Sequence, residues 1–335
     1  MAATVPVETL VPSCWADGPC RGGRRPRQNE SMETFTSISA VPAGTVVVGV
    51  DGSEGAARAV RWAATEADLT RRPLVLVHAW TLQGGTWLDQ AGIDHREVAK
   101  AIKADAEQLV RTVRDEVLAV RPHLTVHELV VQADAREAFE ELSRTASMVV
   151  VGSRGRGPVR SLLLGSVSVA VSRQSHCPVV VVRPGIEQAT GGILVGVDGT
   201  PASQPALELA FREASLRELP LTVVHCFWDA QVATLPAHQV PDDAMAAYAD
   251  LELMVAASMS GLREKYPDVQ VERVLWRGLV DEALVAASGG RDLTVVGLRR
   301  TNGLRSLIRV PVAPAVVERA DGAVAVVPHE AETDA

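Results

Sequence analysis

The amino-acid sequence predicts an α/β protein of two tandem, doubly wound domains, each with a five-stranded parallel sheet. The first observation behind this is a repeat. Val46-Val47-Val48-Gly49-Val50-Asp51-Gly52-Ser53 returns as Ile193-Leu194-Val195-Gly196-Val197-Asp198-Gly199-Thr200. Asp51 and Asp198 stand 147 positions apart, and so do His78 and His225, which end the next apolar run of each copy. Agreement at two landmarks marks an internal duplication. The second observation is the alternation of short β-branched runs with longer amphipathic stretches, the pattern of parallel strands joined by crossover helices. The third is that 335 residues, 47% of them hydrophobic, suffice to fill two cores of ordinary size.

In the first copy the strands are expected near 45–50, 74–79, 125–131, 147–151 and 178–182, with helices near 54–70, 93–120, 135–145 and 166–175. In the second copy strands are expected near 192–197, 221–226, 269–274, 293–296 and 323–327, with helices near 202–218, 242–265, 280–288 and 312–319. Right-handed crossovers fold each set of five strands into a compact Rossmann-like domain. The first domain spans 43–184 and the second 192–330, and Pro/Gly-bearing residues 185–191 link them. Residues 1–42 are rich in Pro, Gly, Ser and Arg without a sustained period, and are expected to be a disordered extension. Arg21, Arg24, Arg25 and Arg27 form a basic patch there, able to touch an anionic partner or simply solvated, and Met32 is an alternative translation start.

A net charge of −8 gives a nucleic-acid role no global support. No apolar run reaches the roughly 18 residues needed to span a bilayer, and the first residues lack a secretion signal, so a cytoplasmic protein without membrane contact is expected. Cys14, Cys20, Cys177 and Cys226 are too few and scattered for a disulfide framework. Cys14 and Cys20 read as solvated thiols, with a redox pair or metal clip as the other reading.

The segment after the fourth strand carries the chemistry: Gly152-Ser153-Arg154-Gly155-Arg156-Gly157-Pro158, running on to Leu164-Gly165-Ser166-Val167-Ser168. Glycines let backbone approach a ligand with no Cβ in the way. Gly165-Ser166 opens a helix, where unpaired N–H groups and the helix dipole favour phosphate oxygens. Ser166 and Ser168 offer hydroxyls, and Arg154, Arg156 and Arg160 can offset phosphate charge. The loop also leaves the carboxyl end of a central parallel strand, where ligands of such sheets bind.

The Gly-x2-Gly-x9-Gly-Ser spacing after a strand, with the early Val-Gly-Val-Asp-Gly-Ser, resembles the ATP-binding branch of the universal stress protein family. The likeness covers about 43–183, and 192–328 more weakly. It implies an adenine nucleotide alpha hydrolase-like fold and ATP, with Mg²⁺, as ligand; AMP or cAMP are the alternatives. Carried over by motif, Gly152, Gly155, Gly165 and Ser166 would hold ribose and phosphates, and Val167 and Ser168 would add backbone and hydroxyl contacts. Asp51 would meet the nucleotide, a role compatible with capping the turn that follows it. Ala79 would occupy the backbone position that reads adenine. His78 reads as a packed strand-end residue, and Trp80 and Trp87 as packing or as neighbours of the adenine edge.

The second copy departs from this pattern. Arg300 stands where the first copy has Gly155, and Val310-Pro311 replaces Gly165-Ser166. Proline keeps the helix start but removes an N–H donor, and the serine hydroxyl goes with it. Arg299, Arg300, Arg305 and Arg309 leave the surface basic, so an altered anion site is the other reading of a degenerate domain.

No Walker phosphate loop, metal cluster, nucleophile elbow or carboxylate pair is evident. Hydrolysis is therefore expected to be absent or slow, and the resemblance implies a non-catalytic, nucleotide-dependent regulator of a stress or dormancy response. The alternatives are a slow ATPase or nucleotidyl-transfer enzyme of the same fold, and a nucleotide-independent dimerisation module. The apolar fifth strands, Val179–Val182 and Val324–Val327, predict an internal pseudo-dimer of the two halves. A homodimer and a regulatory protein partner are further expectations.

Overall fold

The computed structural model describes residues 34–35, 37–82, 94–155, 164–185, 191–227, 242–300 and 312–330. The first half contains β1 (Thr34–Phe35), β2 (Val46–Gly49), α1 (Glu54–Thr70), β3 (Leu74–Trp80), α2 (His95–Val120) and β4 (Val126–Gln132). It continues with α3 (Ala135–Leu142), β5 (Met148–Gly152), α4 (Ser166–Gln174) and β6 (Val179–Val182). The second half contains β7 (Ile193–Val197), α5 (Gln204–Arg217), β8 (Leu221–Phe227), α6 (Asp242–Ser258), α7 (Ser260–Lys265) and β9 (Val271–Arg277). After it come α8 (Val280–Ala287), β10 (Leu293–Arg300), α9 (Val312–Arg319) and β11 (Ala323–Glu330).

All strands lie in one sheet ordered β1-β4-β3-β2-β5-β6-β11-β10-β7-β8-β9. Within each half the strands run parallel, and the halves meet where β6 pairs antiparallel with β11, Val179 opposite Val326 and Val182 opposite Ala323. That register relates the copies by a two-fold axis normal to the sheet, as the expected internal pseudo-dimer requires.

The duplication reaches into local detail. α1 and α5 both end on a left-handed residue, Arg71 (φ 52°) and Glu218 (φ 55°), with the next amide returning to the carbonyl of Ala67 or Ala214. His78 Nδ1 lies 2.6 Å from Val50 O, and His225 Nδ1 lies 3.0 Å from Val197 O. Each histidine thus ties two strand ends together, the packing role expected of His78.

Two apolar layers enclose the sheet. One face carries α1, α2, α5, α6 and α7, the other α3, α4, α8 and α9, and both cores run without interruption through both halves. The valine-rich central strands need no alternation of polar residues because both faces are covered.

Two expectations are corrected. Residues 34–35 and 37–41 do not belong to a disordered extension: Thr34–Phe35 adds an edge strand on β4, Ile38–Ala40 forms a 3₁₀ turn, and Phe35 and Val41 are buried. Two hydrophobic anchors, Phe35 lying 5.0 Å from the His127 ring, outweigh the polar composition around them. Residues 1–33, with Cys14, Cys20, the basic patch and Met32, lie outside the described residues. The helix expected over 242–265 is interrupted at Met259, which is fully buried and separates α6 from α7.

Candidate functional site

The strand order reverses between β2 and β5, and a cleft of about 350 Å³ opens at their carboxyl ends. This is the crevice in which open parallel sheets bind ligands, and its size falls in the range of small-molecule sites. All nine residues singled out from the sequence line it: Asp51, Ala79, Gly152, Arg154, Gly155, Gly165, Ser166, Val167 and Ser168. Gly49 and Leu164, flanking residues of the two motifs, also line it, as do Ala135 and Phe139, to which no sequence motif pointed. Phe139 and Ala135, four apart on α3, form an apolar floor. A Cβ on Gly49 would stand 3.1 Å from the Phe139 ring, so glycine admits the ring there.

Two arms make the cradle. The first, 152–155, leaves β5; the second, 164–168, enters α4. The Gly165 amide donates to Ser153 O at 2.8 Å and binds the arms together. Ser168, expected to offer its hydroxyl to a ligand, directs it instead to Gly165 O at 2.9 Å, with Ser153 O at 3.4 Å. It lines the cleft while bracing its frame. Ser166 stays exposed at the helix start, as does Arg154 on the opposite arm. Arg156, Arg160 and Trp87 lie outside the described residues, and Trp80 is buried away from the cleft lining.

Helix starts in this half divide by capping. Ser53, Asp94 and Asp134 accept the amides of Ala56, Arg96 and Arg136, closing the starts of α1, α2 and α3. α4 begins at Gly165 with no side-chain cap, and its first turn faces the cleft. Amides at a helix start lack intrahelical partners, and the dipole adds positive potential, so this end suits phosphate or carboxylate oxygens.

Asp51 is the acidic side chain of the lining. Its Oδ1 accepts the Ser53 amide at 2.9 Å, the turn-capping role, and its Oδ2 stands 2.3 Å from where a Cβ of Gly155 would lie. The turn-capping role expected of Asp51 is the one the geometry shows. A single carboxylate does not make a protein metal cage, and among the described residues no group of three or more His, Cys, Asp or Glu is placed to hold an ion. A metal ion there would have Asp51 as its carboxylate and would need its other ligands from water or a bound molecule.

The described part of the second half differs at the equivalent place. β5 ends at Gly152 opposite Val182, but β10 runs three residues past Gly297, pairing Leu298, Arg299 and Arg300 with Pro328, His329 and Glu330 of β11. Where Pro184-Gly185 turns the first chain away (φ 95° at Gly185), the second chain continues as strand. The His329 ring lies over Gly297, and burial, with Arg299 adding to it, holds its pKa below the usual histidine value against the pull of Asp198. Asp198 itself accepts from Ser203 Oγ (2.5 Å) and from the amide and hydroxyl of Thr200 (2.9 and 2.7 Å). Burial would raise its pKa, but these donors outweigh it and leave it lowered. Met254 fills the space beside Gly199. Residues 301–311, including Val310-Pro311, Arg305 and Arg309, lie outside the described residues.

Comparison with known proteins agrees with this duplicated architecture. The universal stress protein family model matches residues 43–183 and again 191–328. The chain belongs to the universal stress protein family. Among its relatives, universal stress protein Rv2005c of Mycobacterium tuberculosis is 35% identical over 286 residues, covering 82% of this chain and 94% of the relative. Universal stress protein Rv2623 of the same organism is 35% identical over 289 residues, covering 82% and 93%. A crystal structure of a universal stress protein from Archaeoglobus fulgidus shares the fold with a TM-score of 0.59 at 17% identity, covering 86% of this chain and 99% of that one. The matches to the two mycobacterial relatives extend over most of this chain and nearly all of each relative. Among the described residues, no helix of the chain is long and apolar enough to cross a membrane.

Proposed function

We propose that the first universal stress protein domain binds ATP, with Mg²⁺ on its phosphates, and that the protein is a non-catalytic, nucleotide-dependent regulator whose second domain carries no nucleotide. The observation that carries this reading is the uncapped start of α4, opening onto the cleft between two glycine arms and beside exposed Arg154. A triphosphate would lie along Gly165-Ser166-Val167, with ribose near Asp51 and the base toward Ala79 and the Phe139 floor. Phosphoryl transfer normally uses a metal-holding carboxylate together with a placed base or lysine. The described lining offers Asp51 alone, because His78 already engages Val50 O and no lysine is present. That composition favours binding over turnover. The proposed regulation acts through the nucleotide state, which changes the surface presented to a protein partner.

Calorimetric titration of Mg-ATP into nucleotide-stripped wild type, Gly165→Val and Gly297→Val tests the reading. A Cβ at Gly165 meets nothing closer than Ser168 Oγ at 3.5 Å, and φ is −76°, so valine is accepted by the fold while crowding the cradle. One site per chain is expected in wild type and Gly297→Val, with affinity reduced about 100-fold or more, some 2.7 kcal/mol, in Gly165→Val. Two sites would restore the second domain as a binder, and no heat in any of the three would remove the nucleotide. Multiple-turnover phosphate release, lost in Asp51→Ala, would move the assignment to a slow ATPase.

A further inference from the structure

A cluster of buried charge lies away from the cleft, where α1 of the first half meets α5 of the second. Glu66 and Glu213 are 147 positions apart, equivalent in the two copies, and the pseudo-two-fold brings them face to face. Their side chains are 1% and 0% exposed. Arg217 Nη2 reaches Glu66 Oε2 at 2.5 Å and Glu213 Oε2 at 3.0 Å, and its guanidinium lies 5.1 Å from the centre of the Trp62 ring. Arg212 Nη2 is 2.9 Å from Glu213 Oε1 and 4.0 Å from Glu66 Oε1. The two arginines are not equivalent: Arg217 is 13% exposed and Arg212 37%, so water screens much of the second charge.

The described surroundings of Glu66 divide by element. The strands beneath α1 and α5 present Val180, Val182, Ala323 and Ala325. On the α2 side of α1, Arg121 and His123 pair with Asp68. The charges acting on Glu66 are those of Glu213, Arg217 and Arg212. Two buried carboxyls therefore face one largely enclosed guanidinium and one that water screens, and the arrangement balances when one carboxyl carries a proton.

We propose that Glu66 holds a proton and donates it in a hydrogen bond to Glu213, so that the seam between the two halves is a proton-dependent lock that loosens in mild alkali. Burial first, and then the Glu213 carboxylate, push the Glu66 carboxyl up to about 8, against the lowering effect of Arg217 and Arg212. An unfolded glutamate titrates at 4.5. Between those values the folded chain binds the extra proton. The stability it supplies is complete below the window and is lost as pH rises through it. The lock does not depend on the nucleotide reading.

Urea unfolding of the full chain, wild type beside Glu66→Gln, between about pH 6 and about pH 7.5, tests the lock. Glutamine keeps the neutral form at every pH, and comparing the two proteins cancels all other titrations. The wild-type unfolding constant is expected to rise roughly tenfold per pH unit relative to Glu66→Gln. A ratio that does not change with pH overturns the proposal. Should Glu66→Gln fail to fold, infrared difference spectra of wild type between about pH 6 and about pH 10 read the proton directly. A buried carboxylic-acid band that disappears in alkali supports the lock, and its absence overturns it.

Discussion

Replacing Val181 by Asp is expected to remove about 5 kcal/mol of stability and to unfold both halves in one transition. Val181 is fully buried in β6, opposite Val151 of β5 on one side and Val324 of β11 on the other. Losing the valine forfeits roughly 2 kcal/mol of apolar burial. Burying a carboxyl with no partner costs about 3 kcal/mol more, even when it stays protonated. The sum approaches the total stability of many domains. Its pH dependence has a definite sign. A buried aspartic acid has a raised pKa, so the variant is least impaired in acid and worsens as pH rises. Val181→Ala, which removes volume without charge, should cost about 2 kcal/mol at every pH. Both halves respond because each apolar layer contains residues of both, Val47 with Val324 on one face and Val48 with Ala325 on the other. Urea titration followed by circular dichroism, with hydrogen exchange resolved by segment, checks this. A second half that keeps its own unchanged midpoint would show that the two cores are separable.

What the sequence revealed, and what it hid, follows from the range of the interactions concerned. The strands, the duplication and the positions of the cradle glycines were legible because periodicity and spacing are local, and a repeat doubles each signal. The β6–β11 seam was legible because an apolar run such as Val179–Val182 must be covered on its edge as well as its faces. The two-residue β1 was not, because its stability comes from Phe35 meeting His127, a contact across more than ninety positions. The break at Met259 depends on what α6 packs against and leaves no mark in helical periodicity. Glu66 and Glu213 look like ordinary polar positions on amphipathic helices, and only superposing the repeat on the fold shows that the axis buries them together. In the cradle, the sequence placed the residues but not their tasks. Ser168 was expected to address a ligand, whereas its hydroxyl bonds the frame. The β10–β11 pairing that continues to Arg300 and Glu330 left no mark in the sequence, because it is a property of two distant segments.

The three glycines of the cradle should separate by experiment, and Gly152→Ala is the most damaging substitution among them. A Cβ at Gly152 would lie 2.5 Å from the carbonyl carbon and 2.6 Å from the carbonyl oxygen of Gly55, and 3.0 Å from the Ala56 amide. All three are backbone atoms of the first turn of α1, which cannot rotate aside. Gly55 is constrained in the same way, since its own Cβ would stand 2.3 Å from Arg154 O. The start of α1 and the end of β5 therefore approach as closely as two backbones can, glycine against glycine. Forcing them apart should cost about 3 kcal/mol, the upper range for overpacking a filled site, and nucleotide binding should fall because the fold yields. Gly155→Ala meets only Asp51 Oδ2, the movable end of a side chain, so its cost should stay below about 1 kcal/mol while Asp51 shifts. Urea midpoints for Gly152→Ala, Gly155→Ala and Gly165→Val, measured without nucleotide, decide the matter. The expected order places Gly152→Ala far below the other two. Equal midpoints would mean that α1 can withdraw from β5 at little cost, and that Gly152 is kept free of a side chain for the ligand alone.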